Sequence, residues 1–356
     1  MLNTSIAAES PDCQNWAERS EFWQKYAGSL TGKRKRRERQ SSPLILCGHG
    51  VSLRVEHGAL IIRDGFTHYP QQQDRYRYFP GDRSIPTRIM LLDGSGTLSF
   101  AVLDWLGQQG VALARIRASG DVAVVASGNG YAAHPDKLRW QRETREDDRA
   151  RLAFATRLVC EKLVGSIATI ERHLPVSAAR DWALAKHTAL VERLRSSPNL
   201  TMDDLRGIEG LSAATYFAAW EGLELRWRGS RPVPNNWQAF TSRSSLANGI
   251  KAKNRAASHP INAMLNYAYA VKQAQLHVQA VAEGFDPALG IMHQGREGNA
   301  AYVFDLIEPE RPKVDAAVLK FVAENEFAVT DFVLTRDGVC RLSPQLARAV
   351  AGLMSL

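Results

Sequence analysis

The period of the hydrophobic pattern changes once along this chain, and that change constrains the architecture more than any other feature. Between residues 44 and 126 the apolar residues come in short runs: Leu44-Ile45-Leu46, Ser52-Leu53-Arg54-Val55-Glu56, Ala59-Leu60-Ile61-Ile62, Ile89-Met90-Leu91-Leu92 and Val122-Ala123-Val124-Val125. Bounded by His57-Gly58 and Asp93-Gly94, they read as strands of a small sheet. Within this region Thr97–Gln109 follows a helical period, with Leu98, Val102, Trp105 and Leu106 on one face, and predicts a helix covering the sheet. From Leu152 the period is helical: Leu152, Thr156, Val159, Leu163, Ile167 and Ile170 recur at three and four. Further helices are expected over Asp181–Leu194, Asp203–Leu225 and Ile261–Gly284, with Gly284 as the stop. Phe332–Leu342 reads as a small hairpin, and a final helix starts near Pro344. The fold class is therefore α+β: a small N-terminal β-sheet domain joined by a linker to a larger all-α domain.

Four regions follow. Residues 1–42 form an N-terminal extension. In it Trp16, Phe22, Trp23, Tyr26 and Leu30 suggest an amphipathic helix over Asn15–Leu30, and Lys33-Arg34-Lys35-Arg36-Arg37-Glu38-Arg39 carries six cations in seven residues. Such dense like charge reads as a solvated tail or as a grip on a polyanion. Residues 43–126 are the β-rich domain and 127–150 a linker, opened by Ser127-Gly128-Asn129-Gly130 and His134-Pro135. Residues 151–356 are the helical domain, in which the polar stretch Arg228–Ser258 is expected as a long loop.

The chain carries a formal charge of +8 and a pI of about 9.4, which favours polyanionic partners, nucleic acid above all, over solubility alone. No apolar run approaches the ~18 residues of a membrane span, so no membrane partner is expected. The N-terminus lacks the features of a secretory signal. Cys13, Cys47, Cys160 and Cys340 are scattered without a CxxC pair, which argues against a zinc site or disulfide framework and fits a reducing, cytoplasmic setting.

Three residues in apolar surroundings could do chemistry. Glu209 lies in Gly207-Ile208-Glu209-Gly210, His293 ends Gly290-Ile291-Met292-His293, and Glu308 ends Phe304-Asp305-Leu306-Ile307-Glu308. Two carboxylates and an imidazole suit a divalent metal. Each has an alternative: Glu209 as a helix-surface glutamate, His293 as a hydrogen-bonded structural histidine, Asp305 and Glu308 in a partly buried ion pair with Arg311. Asp305 and Glu308, three apart, share a helix face, and Pro309 breaks or redirects the chain after them. Tyr216, seven residues after Glu209, faces the same way, as a nucleic-acid contact or as a core aromatic.

Asn262-Ala263-Met264-Leu265-Asn266-Tyr267-Ala268-Tyr269, Gly284–His293 and Val303-Phe304-Asp305-Leu306-Ile307-Glu308-Pro309-Glu310-Arg311-Pro312-Lys313-Val314-Asp315 together resemble the CRISPR-associated adaptation integrases, the Cas-one family. Ile208-Glu209-Gly210 with Tyr216 resembles that family's first motif, and Asp331-Phe332, Gly338-Val339 and Leu342-Ser343-Pro344 its C-terminal ending. The resemblance covers residues 44–350 and is densest from 205 to 344; residues 1–40 depart from it, and Glu308 stands where many members have Asp. It implies a metal-dependent DNA endonuclease and integrase that inserts protospacer 3′-hydroxyl ends into the CRISPR repeat by transesterification. It further implies that Glu209, His293 and Glu308 are catalytic ligands of Mg²⁺ or Mn²⁺, with Asp305 and Tyr216 behind them. Residues 43–126 become a dimerisation domain and 151–356 the catalytic domain. The implied partners are double-stranded DNA of the protospacer and leader–repeat, a second copy of the chain in a homodimer, and the small second adaptation protein, Cas-two. Arg228, Arg231, Arg243, Lys251, Lys253, Asn254 and Arg255 are expected to contact DNA phosphates. Two alternatives remain: a transposon-type or solitary integrase or nuclease outside CRISPR, and a degenerate DNA-binding scaffold.

Overall fold

In the computed structural model, residues 11–30, 43–66, 73–117, 122–126, 133–197, 199–243, 257–293 and 300–354 are described. The Lys33–Arg39 run and Lys251, Lys253, Asn254 and Arg255 lie outside them. The α+β class is observed. A six-stranded sheet comprises β1 (Leu44–Glu56), β2 (Ala59–Arg63), β3 (Arg75–Tyr78), β4 (Arg88–Leu98), β5 (Ala112–Ile116) and β6 (Val122–Ala126), in the order β3-β2-β1-β4-β5-β6. The pairs β1–β4 and β4–β5 are parallel and the rest antiparallel.

Strand alternation gives the sheet two apolar faces. Leu46, Leu53, Ile62, Ile89 and Leu113 pack under α2 (Phe100–Gln108), whose Val102, Trp105 and Leu106 are buried. Thr97 and Leu98 do not join that helix: the β1–β4 ladder runs on through Ser52↔Thr97 and Leu53↔Leu98, so strand pairing overrides the local helical pattern. On the other face Cys47, Met90, Leu92, Ala114 and Ile116 join the main core with the helical half.

That half contains α3 (Pro135–Glu146), α4 (Asp148–His173), α5 (Ala178–Ser196), α6 (Met202–Ala218), α7 (Pro260–Ala282), α8 (Ala301–Ile307), α9 (Arg311–Glu324) and α10 (Pro344–Leu353). It also carries two ribbons, β7 (Arg226–Arg228) with β8 (Glu326–Ala328), and the expected hairpin of β9 (Phe332–Leu334) and β10 (Cys340–Leu342). α6 stops at Ala218 rather than reaching Leu225. Gly222 turns at φ 83° and its amide bonds Phe240 O at 2.9 Å, diverting the chain from the helix. α7 ends as expected, with Gly284 at φ 82° after the cap residue Glu283. α3 lies within the 127–150 stretch. Its buried Gln141 spans the approach to His293, bonding Asp286 O at 2.9 Å, Leu289 O at 3.0 Å and the amide of Asp286 at 2.9 Å. Cys47, Cys160 and Cys340 are free thiols. No helix among the described residues is long and apolar enough to cross a membrane.

Residues 11–30 form the N-terminal helix α1, which packs along α10. Trp23 is fully buried against Phe321 and Phe327. Arg19 forms a bidentate pair with Asp331, Nε to Oδ1 at 3.0 Å and Nη2 to Oδ2 at 2.7 Å, and Nη2 also reaches Glu326 O at 2.8 Å. Both partners are buried, so the loss of either leaves a charge without its counter-ion. Arg19→Ala is expected to destabilise the protein by about 3–5 kcal/mol, read from urea unfolding; a change below ~1 kcal/mol would show that α1 is a peripheral attachment.

Candidate active site

Five helices, α4, α5, α6, α7 and α9, with the Glu308 turn and the segments that carry Arg243 and His293, line a cavity of about 320 Å³. α6 contributes Glu209, Ser212, Ala213 and Tyr216, at offsets of three, four and seven that define one helix face. A reciprocal Thr201–Asp204 capping box fixes where that helix begins. Glu308 comes from the break after α8. Pro309 has no N–H to continue the helix, and the chain passes through a short 3-10 turn, Glu308–Glu310, before α9. α4 approaches this turn closely at Gly165, where a β-carbon would stand 3.1 Å from the Pro312 ring. The Thr169 hydroxyl donates to Pro312 O at 2.9 Å. This packing brings Lys162, less than one turn before Gly165, to the carboxylates.

Lys162 Nζ donates to Glu308 Oε2 at 2.6 Å and to Glu209 Oε1 at 2.8 Å. The other Glu308 oxygen accepts from Arg311 Nε at 2.9 Å. The ion pair with Arg311 considered from the sequence is thus present, but Lys162 extends it to Glu209. Glu308 is buried. Burial alone would raise its pKa, yet the charges of Arg311 and Lys162 and their hydrogen bonds outweigh it and hold the carboxyl at about 2.

His293 enters from the loop before α8. Asp305, with 0% exposure, holds that loop. Its Oδ2 accepts from the amides of Ile291 at 2.6 Å and Met292 at 3.1 Å, and its Oδ1 from the amide of His293 at 2.8 Å. The same Oδ1 faces His293 Nδ1 at 2.8 Å. A carboxylate only accepts, so Nδ1 carries the proton and Nε2 is left to bind a ligand. Gly290 permits the tight loop: a β-carbon there would lie 2.3 Å from His293 O and 2.7 Å from the Ala301 β-carbon. Burial depresses the imidazole pKa, but the hydrogen bond and charge of Asp305, with Glu308 and Glu209, leave it above the ordinary histidine value.

Behind these residues Tyr269 donates a hydrogen bond to Asp315, and the Tyr216 phenol sits near the same carboxyl. The guanidinium carbons of Arg311 and Arg243 lie 5.1 and 5.7 Å from the Tyr269 ring centroid. Arg243 also donates to Asn266 Oδ1 at 2.8 Å. Burial pushes Asp315 up to about 6, against the lowering effect of the tyrosine hydroxyls, Arg243 and Arg311.

Glu209, His293, Glu308, Tyr216 and Arg243 therefore line one cavity. Tyr216 is buried there as a core aromatic. Asp305 stands behind His293. Arg228 does not line the cavity; it pairs with Glu18 of α1 at 2.9 Å, because β7 lies beside the N-terminal helix. Arg231 is also outside the cavity lining. The sequence reading missed Lys162, which follows Glu161 between the buried Val159 and Leu163 of α4. Asp315 was also missed and could have been found, since Glu308, Arg311 and Asp315 fall at offsets of zero, three and seven, which repeat on one helix face.

Similarity to known proteins shows the family of the chain. The profile of the family described as CRISPR associated protein Cas1 matches residues 44–355. The chain belongs to that family. It is 25% identical over 274 residues to a CRISPR-associated endonuclease Cas1 of Methanospirillum hungatei, covering 76% of this chain and 72% of that one. A casposase bound to its integration product has the same fold, with a TM-score of 0.71 and 23% identity over 88% of this chain and 82% of that one. A chain of a Cas6-RT-Cas1–Cas2 complex matches at a TM-score of 0.66 and 17% identity, covering 91% of this chain and 33% of that longer one. α1 lies outside the span matched by the Cas1 profile.

The donor set can be tested against a divalent cation. Among the described residues no three His, Cys, Asp or Glu side chains stand close enough together to hold an ion as they are. The chemistry nevertheless fits. Two of the three donors already close around a cation, the Lys162 ammonium, and Asp305 leaves the third with Nε2 to offer.

A raised carboxyl pKa means that the folded state binds a proton more readily than the unfolded one, so stability falls as pH rises from the ordinary aspartate range to about 6. Asp315→Asn removes this group. Relative to wild type, the variant is expected to be more stable at pH 7.5 than at pH 4, by ~1–3 kcal/mol, in paired urea titrations. An equal stability difference at both pH values would contradict the account.

Proposed function

We propose that this Cas1-family chain is a metal-dependent DNA integrase and endonuclease of CRISPR adaptation, which joins protospacer 3′-hydroxyl ends to the repeat by transesterification. The observation that carries the reading is that Glu209, His293 and Glu308 line one cavity together with Lys162, Arg311 and Arg243. Oxygen and imidazole donors suit Mg²⁺ or Mn²⁺, and the cations suit a phosphodiester. Glu209, Glu308 and His293 Nε2 would hold the ion, which when bound supplies the positive charge that polarises a scissile phosphate.

The chain's own residues do the rest. Asp305 keeps the proton on His293 Nδ1 and fixes the loop behind it. Arg311 holds Glu308 ionised. Tyr216, Tyr269 and Asp315 form the buried back wall. Arg243, anchored by Asn266, lies within the cavity as a phosphate contact. Positioning and charge neutralisation are the main requirements of in-line phosphoryl transfer.

Double-stranded DNA, a second copy of the chain and the Cas2 protein are the partners this reading names. The integration product held by the casposase and the Cas1–Cas2 composition of the related complex support the first and third. Phe100, with 87% exposure, and the exposed Leu98 at the end of β4 and Leu103 in α2 support an apolar dimer contact through the β domain. The casposase likeness also favours a second reading, the same chemistry serving a mobile element outside CRISPR.

Labelled protospacer DNA, offered to a plasmid carrying a leader and repeat, is expected to be joined with Mn²⁺ and not with EDTA. His293→Ala and Glu308→Ala should each lower joining by about a hundredfold or more while DNA binding, read by mobility shift, persists. Joining at wild-type rates by both variants would refute the site. Joining without regard to the leader–repeat junction would favour the mobile-element reading.

A further inference from the structure

We propose that Lys162 is an exchangeable counter-cation of the catalytic carboxylates: it bridges Glu209 and Glu308 in place of a divalent ion and yields to that ion when it binds. This inference rests on reading the cavity as a metal centre. Its basis is the lysine's position. Lys162 Nζ touches one oxygen of each carboxylate, at 2.8 and 2.6 Å, and these two residues come from α6 and from the turn after α8, far apart in sequence. Without a cation between them, two carboxylates brought together in a half-buried cavity would repel and splay. Lys162 therefore neutralises the two ligands before any ion arrives.

The two carboxylates depend on Lys162 unequally. Glu308 keeps Arg311 as a second partner, at 2.9 Å on its other oxygen. Among the ion pairs of the described residues Glu209 has only Lys162, and its side chain remains 24% exposed. A divalent ion can thus take over the Lys162 positions without stranding Glu308, and Glu209 can turn from one cation to the other at the cavity mouth. An ammonium on a four-carbon stem suits such a move better than a guanidinium fork would, being a compact charge with rotatable donors.

The exchange also changes the charge of the cavity. Glu209 and Glu308 are balanced by Lys162 and Arg311. When a divalent ion replaces the lysine between them, the displaced ammonium stays tethered to α4 at the cavity, which becomes strongly positive. The displaced Lys162 is then available to a DNA phosphate. Its role is that of a positioning residue, and the consequence is that the site attracts the DNA backbone most strongly once the ion is in place.

The test is Mn²⁺ binding by calorimetry and by electron paramagnetic resonance of free Mn²⁺, on full-length wild type, Lys162→Met and Lys162→Arg. The competitor's removal should tighten Mn²⁺ binding about tenfold in Lys162→Met, whereas Lys162→Arg, which keeps the charge, should not tighten it. Damage to folding would only weaken binding, so tightening separates exchange from a merely structural role. As a second measurement that needs no variant, amine-selective acetylation of the wild type, read by peptide mass spectrometry, should label Lys162 faster with Mn²⁺ than with EDTA. Unchanged or weaker Mn²⁺ binding in a folded Lys162→Met, or Lys162 labelling indifferent to Mn²⁺, overturns the inference while leaving the metal centre intact. Failure of the wild type itself to bind Mn²⁺ overturns both.

Discussion

The contact on which this structure turns is the Lys162 ammonium held between Glu209 and Glu308. Glu308 is almost fully buried, and a buried carboxylate is costly unless paired and hydrogen-bonded. Here the pairing comes from α4, through a helix approach that Gly165 makes possible, and from Arg311 on the next turn of the same segment. The outcome is a carboxyl held ionised well below its ordinary range. Placing an acid from α6 beside an acid from the α8–α9 turn requires a cation between them, and the helical half is arranged to deliver one.

The second constraint is Asp305. One carboxylate accepts three consecutive backbone amides and faces the imidazole of His293. The loop is thereby fixed from the inside, and Gln141 of α3 braces its approach from the outside. The stretch between the sheet and α4 is therefore more than a tether: it contributes a buried side chain to the geometry of the site. α1 is similar in kind. It lies before the span shared with the Cas1 family, yet its Arg19 and Trp23 are embedded in the helical core.

Much of this was legible in the sequence, for physical reasons. Short apolar runs punctuated by Gly and Asp became β1, β2, β4 and β6, while β3 and β5 were not read. Three- and four-residue spacings became α1, α4, α5, α6 and α7 but did not reveal α8 and α9, and Gly284 ended α7 where expected. Glu209, His293 and Glu308 were recognisable because charged or titratable residues are rare in such apolar surroundings. What was not legible depended on tertiary partners. Leu98 follows a helical pattern locally but pairs with Leu53 in the sheet. The end of α6 is decided by a backbone bond to Phe240, remote in sequence. Lys162 looks like any polar residue of an amphipathic helix until α4 is packed against Pro312. Arg228, expected as a phosphate contact, pairs with Glu18 of α1, a partner remote in sequence.

The most direct test of the central claim is the anomalous diffraction of manganese in crystals of the protein grown or soaked with Mn²⁺. The account predicts one peak bound by Glu209, Glu308 and His293 Nε2, with Asp305 still on Nδ1 and the Lys162 ammonium moved off both carboxylates. A peak elsewhere in the molecule, or no peak with Lys162 still bridging Glu209 and Glu308 at saturating Mn²⁺, would contradict it.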